Sequence, residues 1–162
     1  MEEKIFQYPN ISETAFSINL LGLNLNVQWY GLSYIAGILL AWYFMAKLVK
    51  NKDLWFANHS IIERSEVDDL ITYMILGIVI GGRLGYCLFY APVYYFESPI
   101  RVIYIWEGGM SFHGGFLGVI ISGALFGVRK KINLFSLGDL IAFASPPGLF
   151  FGRIANFING EL

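Results

Sequence analysis

Four long apolar stretches, almost free of charge, constrain this chain more than any other feature of its sequence. Each is about 20 residues long, the length that an α-helix needs to cross the hydrocarbon core of a bilayer. The composition agrees, with 56% hydrophobic and only 14% charged residues among 162. The sequence therefore predicts an all-α, multi-pass integral membrane protein that forms one domain over residues 1–162. Its spans are expected at about 27–49, 70–90, 108–128 and 137–158.

The positive charges between the spans predict the orientation of the chain in the membrane. Cytoplasmic loops are enriched in lysine and arginine, so the side with more cations is expected to be cytoplasmic. Only Lys4 and Arg101 lie on the other side, which would therefore be periplasmic and would carry the N-terminus. The cations on the predicted cytoplasmic side are Lys47, Lys50, Lys52, Arg64, Arg129, Lys130 and Lys131.

Apolar and polar side chains alternate just before the first span, most clearly from Leu23 to Val27. A period of two is typical of a β-strand, and Leu21-Gly22 fits a turn between two such strands. We expect a short periplasmic hairpin or surface arm.

Glycine and proline predict how the spans pack and where one of them is interrupted. Gly77, Gly81 and Gly85 recur every four residues, a spacing that lets another helix approach closely. Residues 145–148 (SPPG) lie in the middle of the fourth span, where proline lacks an amide donor and favours a helix restart. We expect a broken or kinked helix there. Helical spacing also recurs in the first span, and it predicts either a packing seam or a cavity wall. The residues are Tyr30, Tyr34, Gly37 and Ala41.

Several function classes are disfavoured by what the sequence contains. The formal net charge is −1, and no long basic run or nucleic-acid-binding signature is present, so we expect no nucleic-acid partner. The single cysteine, Cys87, cannot form an internal disulfide, and no cysteine and histidine spacing predicts a zinc site. We expect neither a metal nor a cofactor.

Charged and polar side chains inside the apolar stretches are the candidates for function. Arg83 lies about 10 Å below the end of its span, and a charge at such a depth costs about 2.5–3.5 kcal/mol on insertion scales. It should therefore face a polar partner or a cavity. His113 lies between two glycine pairs, and it is either a hydrogen-bonded structural residue or part of a site. Arg153 either holds an anion together with Asn156, one helical turn away, or anchors its helix by reaching the headgroups.

The predicted topology brings these residues to one leaflet. With the N-terminus outside, the odd spans begin at the outer face and the even spans end there. Arginine suits a phosphate group, and histidine suits proton transfer near neutral pH. The implied ligand is an anionic phospholipid of the outer leaflet. The residues gathered by this argument are Tyr30, Arg83, Tyr86, His113, Arg153, Asn156, Asn159 and Glu161.

Three motifs carry a resemblance to a known family. They are residues 82–86 (GRLGY), 108–115 (GGMSFHGG) and 152–161 (GRIANFINGE). From about Trp29 to Leu162, the chain resembles the bacterial phosphatidylglycerol:prolipoprotein diacylglyceryl transferases. The resemblance implies an enzyme of the bacterial cytoplasmic (inner) membrane that transfers diacylglyceryl from phosphatidylglycerol to the lipobox cysteine of preprolipoproteins and releases glycerol phosphate.

The chemistry of the implied reaction, together with the resemblance, predicts roles for individual residues. His113 would deprotonate the incoming thiol, and Arg153 would stabilise the departing phosphate. The nucleophile belongs to the substrate protein, so Cys87 needs no role. The expected catalytic residues are Tyr30, His113, Arg153, Asn156 and Glu161. The expected lipid-binding residues are Arg83, Tyr86, Arg153, Asn159 and Gly160.

Members of this family are typically longer, with more spans, a periplasmic head and a further essential arginine. An alternative expectation is therefore a truncated, catalytically silent subunit that binds phospholipid or assists assembly. A small transporter is a third interpretation, but polar clusters confined to one leaflet do not predict a path across the membrane.

Overall fold

The computed structural model describes residues 11–20, 23–55 and 59–160. Short 3₁₀ turns lie at Lys52–Leu54, Pro99–Ile103 and Ile105–Glu107. The strands and α-helices, in chain order, are β1 (Thr14–Leu20), β2 (Leu23–Gln28), α1 (Trp29–Lys50), α2 (Glu66–Phe89), α3 (Pro92–Glu97), α4 (Phe112–Lys130), α5 (Leu134–Ala144) and α6 (Pro146–Ile158).

The predicted all-α membrane architecture is confirmed. Four segments are long and apolar enough to cross a bilayer: α1, α2, α4 and the continuous stretch Leu134–Ile158 that contains α5 and α6. The protein is therefore a multi-pass membrane protein. Two compact units divide the chain, Met1–Phe44 with Ala142–Leu162, and Met45–Ile141. The expectation of a single domain stays a prediction.

The hairpin predicted at the N-terminus is present in the first unit. Strands β1 and β2 pair antiparallel, with Leu20 opposite Leu23 and Thr14 opposite Gln28. The turn predicted at Leu21-Gly22 lies outside the described residues. Helix α1 begins directly after β2, and the amide of Trp29 donates to the carbonyl of Glu13 at 3.1 Å.

Two glycines bring α1 and α6 together in the same unit. A Cβ atom added to Gly37 would lie only 2.7 Å from the Cα atom of Gly148, a distance that real Cβ contacts do not show. The seam predicted around Gly37 is thus a packing contact at this residue.

The predicted interruption of the fourth span is confirmed, because α5 ends at Ala144 and α6 begins at Pro146. A proline in the first turn needs no amide partner there.

The glycine spacing of α2 forms the packing seam of the second unit. A Cβ atom on Gly81 would lie 2.9 Å from the Cα atom of Gly118, and one on Gly85 would lie 2.8 Å from the Cα atom of Gly114. Gly77 likewise faces the backbone of Gly118. Helices α2 and α4 therefore meet backbone to backbone, as predicted, and side chains cannot be added without separating them.

Polar contacts join the start of α2 to the end of α4. This end of the helix pair lies away from the motifs at residues 82–86 and 108–115. Lys130 near the end of α4 forms an ion pair with Glu66 at 3.0 Å, and Arg129 donates to the hydroxyl of Tyr73 at 3.0 Å. Phe126 is fully buried beside this end and contacts the ring of Tyr73 edge to face. The two ends of the helix pair thus differ in chemistry.

Candidate functional site

Two predicted site residues from different helices form a direct contact in the first unit. The hydroxyl of Tyr30, the second residue of α1, donates a hydrogen bond to Oδ1 of Asn156 in α6. The Tyr30 ring also stacks on Tyr34, with 6.0 Å between ring centroids. The contact fixes the Asn156 amide so that its NH₂ group points away from the tyrosine and keeps two donors.

The end of α6 carries polar groups that the described residues leave unused. Arg153 is exposed, and across 11–20, 23–55 and 59–160 its guanidinium forms no hydrogen bond or ion pair. Oδ1 of Asn159 is buried and accepts no hydrogen bond from the same residues. Gly160 ends the helix with φ of +72°, a value that favours glycine. Glu161, also predicted to be catalytic, lies outside the described residues.

Arg83 has a different environment, in the second unit. Its side chain is only 3% exposed, and its guanidinium donates to five backbone carbonyls of the connection between α2 and α4. We call these five groups the carbonyl cage. They belong to Arg101 (2.8 Å), Val102 (2.9 Å), Tyr104 (2.9 Å), Gly109 (3.2 Å) and Gly108.

The cage accounts for all the hydrogen-bonding capacity of Arg83, because a guanidinium has five N–H donors. The expectation that Arg83 meets a polar partner is therefore met by the protein backbone. The lipid contact expected for Arg83 stays a prediction, and it would require some of these bonds to break. Tyr95 lies beneath the guanidinium, with 5.2 Å from Cζ to its ring centroid. Burial raises the pKa of the Tyr95 hydroxyl, which keeps the phenol neutral beside the cation.

The first glycine pair of the second motif, residues 108–115, has a structural role that the sequence did not reveal. Gly108 and Gly109 have φ of +83° and +84°, which turns their carbonyls toward Arg83. A Cβ atom on Gly109 would also lie 2.6 Å from Cδ1 of the Tyr86 ring. The buried arginine and the glycine pair were both visible in the sequence, but their partnership was not, because they are 25 residues apart.

Tyr86 and His113 lie on either side of this connection. The Tyr86 ring is half-buried and stacks on Tyr90, with 5.5 Å between centroids. His113 is the second residue of α4 and is exposed, with the ring of Phe112 at 5.7 Å. No residue in the described part of the chain forms a hydrogen bond with the His113 ring, so the structural interpretation of this histidine has no support there.

A comparison with known protein families decides the family of the chain. A family model described as prolipoprotein diacylglyceryl transferase matches residues 16–162. The chain belongs to this family. The match covers both units and every described site residue, and it confirms the family that the three motifs predicted.

Similar proteins named phosphatidylglycerol–prolipoprotein diacylglyceryl transferase come from several bacteria. The chain is 45% identical to the protein of Roseobacter denitrificans over 155 residues, which are 96% of this chain and 53% of that protein. Identity to the protein of Rhizobium leguminosarum bv. trifolii is 49% over 98% of this chain and 55% of that protein. A protein of Cereibacter sphaeroides is 46% identical over 96% of this chain and 76% of that protein. The chain thus spans about half the length of most of these relatives.

Proposed function

We propose that this chain carries the headgroup-binding and thiol-activating residues of a diacylglyceryl transferase. The reaction moves diacylglyceryl from phosphatidylglycerol to the lipobox cysteine of a preprolipoprotein and releases glycerol phosphate. The observation that carries the proposal is the bond between Tyr30 and Asn156, one helical turn from an exposed Arg153, in a chain of this family. The names of the relatives specify phosphatidylglycerol and prolipoprotein as what those proteins act on.

Arg153 is proposed to bind the phosphate of the lipid. A guanidinium forms two parallel, charge-assisted hydrogen bonds to phosphate oxygens, and Arg153 is exposed with its donors unused by the described residues. Asn156 follows on the same helix face, and its NH₂ group is directed by Tyr30. Asn159 and Gly160 end the helix and would contact the polar part of the headgroup. The charge that develops on the leaving phosphate is then stabilised by donors already in place.

His113 is proposed to take the proton of the incoming thiol. A cysteine thiol has a pKa of about 8.5 and reacts as the thiolate, so a base with a pKa near neutrality accelerates the reaction. The thiolate sulfur forms a bond to the terminal glycerol carbon of the diacylglyceryl group while the bond from that carbon to the phosphate oxygen breaks. Glycerol phosphate leaves with the electron pair. The thiol proton remains on His113 and is then released to solvent.

The same proposal includes the location of the chemistry. The charges that flank the spans favour a periplasmic N-terminus and a site at the outer leaflet of the bacterial inner membrane. Tyr86 would contact the lipid near the glycerol, because its ring is half-buried at the end of α2. Glu161 keeps its expected catalytic role as a prediction.

Transfer of radiolabelled diacylglycerol to a lipobox peptide tests the proposal. The protein in phosphatidylglycerol vesicles should label the peptide cysteine. Arg153→Ala and His113→Ala should each abolish labelling without loss of folded protein. A folded protein that binds phosphatidylglycerol but transfers nothing would instead indicate a silent lipid-binding subunit.

Labelling of an engineered cysteine tests the orientation in the membrane. Gly160→Cys, in a Cys87→Ser background, should react with an impermeant maleimide added from the periplasmic side. Reaction from the cytoplasmic side alone would contradict the orientation.

A further inference from the structure

The five bonds of the carbonyl cage connect Arg83 to the start of α4. The cage covers residues 101–109, and its last two members, Gly108 and Gly109, lie three and two residues before Ser111. The amide of Ser111 donates to the carbonyl of Gly82 at 2.9 Å, which is the neighbour of Arg83 in α2. The connection is therefore held to α2 by hydrogen bonds at six residues between Arg101 and Ser111, which directly precedes α4.

Ser111 also determines how α4 begins. Its hydroxyl accepts from the amide of Gly114 at 3.2 Å, and its carbonyl accepts from the amide of Gly115 at 2.9 Å. The hydroxyl satisfies the Gly114 amide, which has no backbone partner inside the helix, and the carbonyl accepts the first backbone bond of the helix. His113 lies inside this turn. The orientation of its ring depends on where Ser111 is held, because two peptide units link the two residues.

The remainder of α4 does not set this position by itself. The glycine seam fixes the axis of α4 against α2, but glycines have no side chains that would lock the rotation of the first turn. Phe112 and Phe116, which flank His113 on α4, are exposed at 69% and 58%. Besides the backbone contact of Gly114 with Gly81 and Gly85, hydrogen bonds between α2 and residues 101–111 hold the turn that carries His113.

We infer that Arg83 is a positioning residue that sets the placement of His113 through the carbonyl cage. The inference rests on the proposed function for its catalytic consequence, since His113 is the proposed base. It goes beyond that function because Arg83 would act through the backbone carbonyls that it binds, and not by contact with the lipid or the thiol. A planar fork with five donors is required, so positive charge alone does not suffice.

The need for a guanidinium with five donors at position 83 can be tested by substitution. Arg83→Lys keeps the charge but has only three donors on one nitrogen, so it cannot serve five carbonyls. Arg101→Lys is a matched control in the same connection, because the Arg101 side chain contacts Tyr94 while only its backbone carbonyl belongs to the cage. Both substitutions exchange the same residue types and leave the net charge unchanged.

The histidine signals in a nuclear magnetic resonance spectrum report placement without any need for activity. The 162-residue chain has two histidines, His59 and His113, and their signals would be assigned with His59→Gln and His113→Gln variants of the ¹³C-labelled chain. Arg83→Lys should shift or broaden the His113 signal and leave the His59 signal unchanged. Arg101→Lys should leave both signals unchanged.

Kinetics separates positioning from lipid contact. A displaced base slows the chemical step, and misplacement by about 1 Å lowers the rate by about a hundredfold. Arg83→Lys should therefore lower kcat by about this factor with KM for phosphatidylglycerol unchanged. A raised KM together with an unmoved His113 signal would overturn the inference in favour of a lipid contact.

Each remaining outcome is also decisive. An unmoved His113 signal in folded Arg83→Lys overturns the inference, whatever the activity. A moved His113 signal in a protein whose wild type transfers no diacylglyceryl supports the positioning role and refutes the proposed function alone. If Arg83→Lys does not fold, Gly108→Ala replaces it. That alanine meets no neighbour within 4 Å but disfavours φ of +83°, so it should move the His113 signal in the same direction by a smaller amount.

Discussion

Arg83 and Arg153 are both arginines inside apolar segments, yet their surroundings are opposite. Arg83 is buried and donates to five carbonyls, whereas Arg153 is exposed and finds no acceptor among the described residues. A guanidinium keeps its charge at any accessible pH, so within a membrane span it requires acceptors. Where the backbone supplies them, the arginine organises the protein. Where the backbone supplies none, an external anion is the natural acceptor.

The comparison predicts that the largest effect on activity comes from Arg153. Arg153→Gln should lower kcat about a hundred- to a thousandfold, because it removes charge-assisted donors to the leaving phosphate. The measurement is transfer of labelled diacylglyceryl to a lipobox peptide, normalised to folded protein. The thermal midpoint should stay unchanged, and a large drop in that midpoint would show that Arg153 is structural and would remove the contrast with Arg83.

Arg83 should show the reverse pattern, with a large effect on stability. Arg83→Met leaves five carbonyls without their donor, and we expect a loss of about 3 kcal/mol or more in the free energy of unfolding. Cys87 is a natural reporter, since it is the single cysteine and is only 4% exposed. Its reaction with a fluorogenic maleimide on heating should begin at a lower temperature. Arg153→Met is the control, and equal midpoints for the two variants would contradict the comparison.

The glycine seam between α2 and α4 is a structural reference for the comparison of Arg83 with Arg153, because its glycines have no side chains that could take part in chemistry. Gly81→Leu inserts a side chain where α2 and α4 meet backbone to backbone, and overpacking of this kind costs about 1–3 kcal/mol. Reduced yield of folded protein and earlier reaction of Cys87 are expected. Gly138→Leu in α5 is the control, because a Cβ atom there meets nothing within 4 Å. Unchanged folding of Gly81→Leu would show that the seam is looser than described.

The smallest expected effect concerns the orientation of Asn156 beside Arg153. Tyr30→Phe removes one hydrogen bond to Asn156, worth about 1 kcal/mol, so transfer should fall about tenfold or less. Tyr34→Phe is the matched control, because Tyr34 stacks on Tyr30 and is 59% exposed. If both variants retain full activity, the Tyr30 hydroxyl does not order the lipid site.

Much of the fold could be predicted because lipid imposes simple requirements on a sequence. Spans need uninterrupted apolar length, and the seam of α2 needs small residues at helical spacing, so both were visible. The ends of the spans were less certain. The third span was expected from residue 108, but α4 begins at Phe112 because Gly108 and Gly109 adopt positive φ and Ser111 caps the helix.

The site could be predicted only in part. Tyr30 and Asn156 were both predicted, and the structure shows that they bond across 126 residues of sequence. The binding of Arg83 to backbone carbonyls was not predicted. Every residue has a carbonyl acceptor, and the sequence does not mark which carbonyls surround the guanidinium. The shared leaflet of His113 and Arg153 stays a prediction from the charges that flank the spans.

The sequence by itself determined that this chain crosses a membrane and which family it resembles, and it predicted which residues carry its chemistry. Hydrophobic length, glycine spacing and local motifs are properties of neighbouring residues, so they can be read along the chain. Only the tertiary structure decided that the backbone satisfies Arg83, and that Arg153 finds no acceptor among the described residues. That choice depends on where distant carbonyls are directed, and their directions are set by folding.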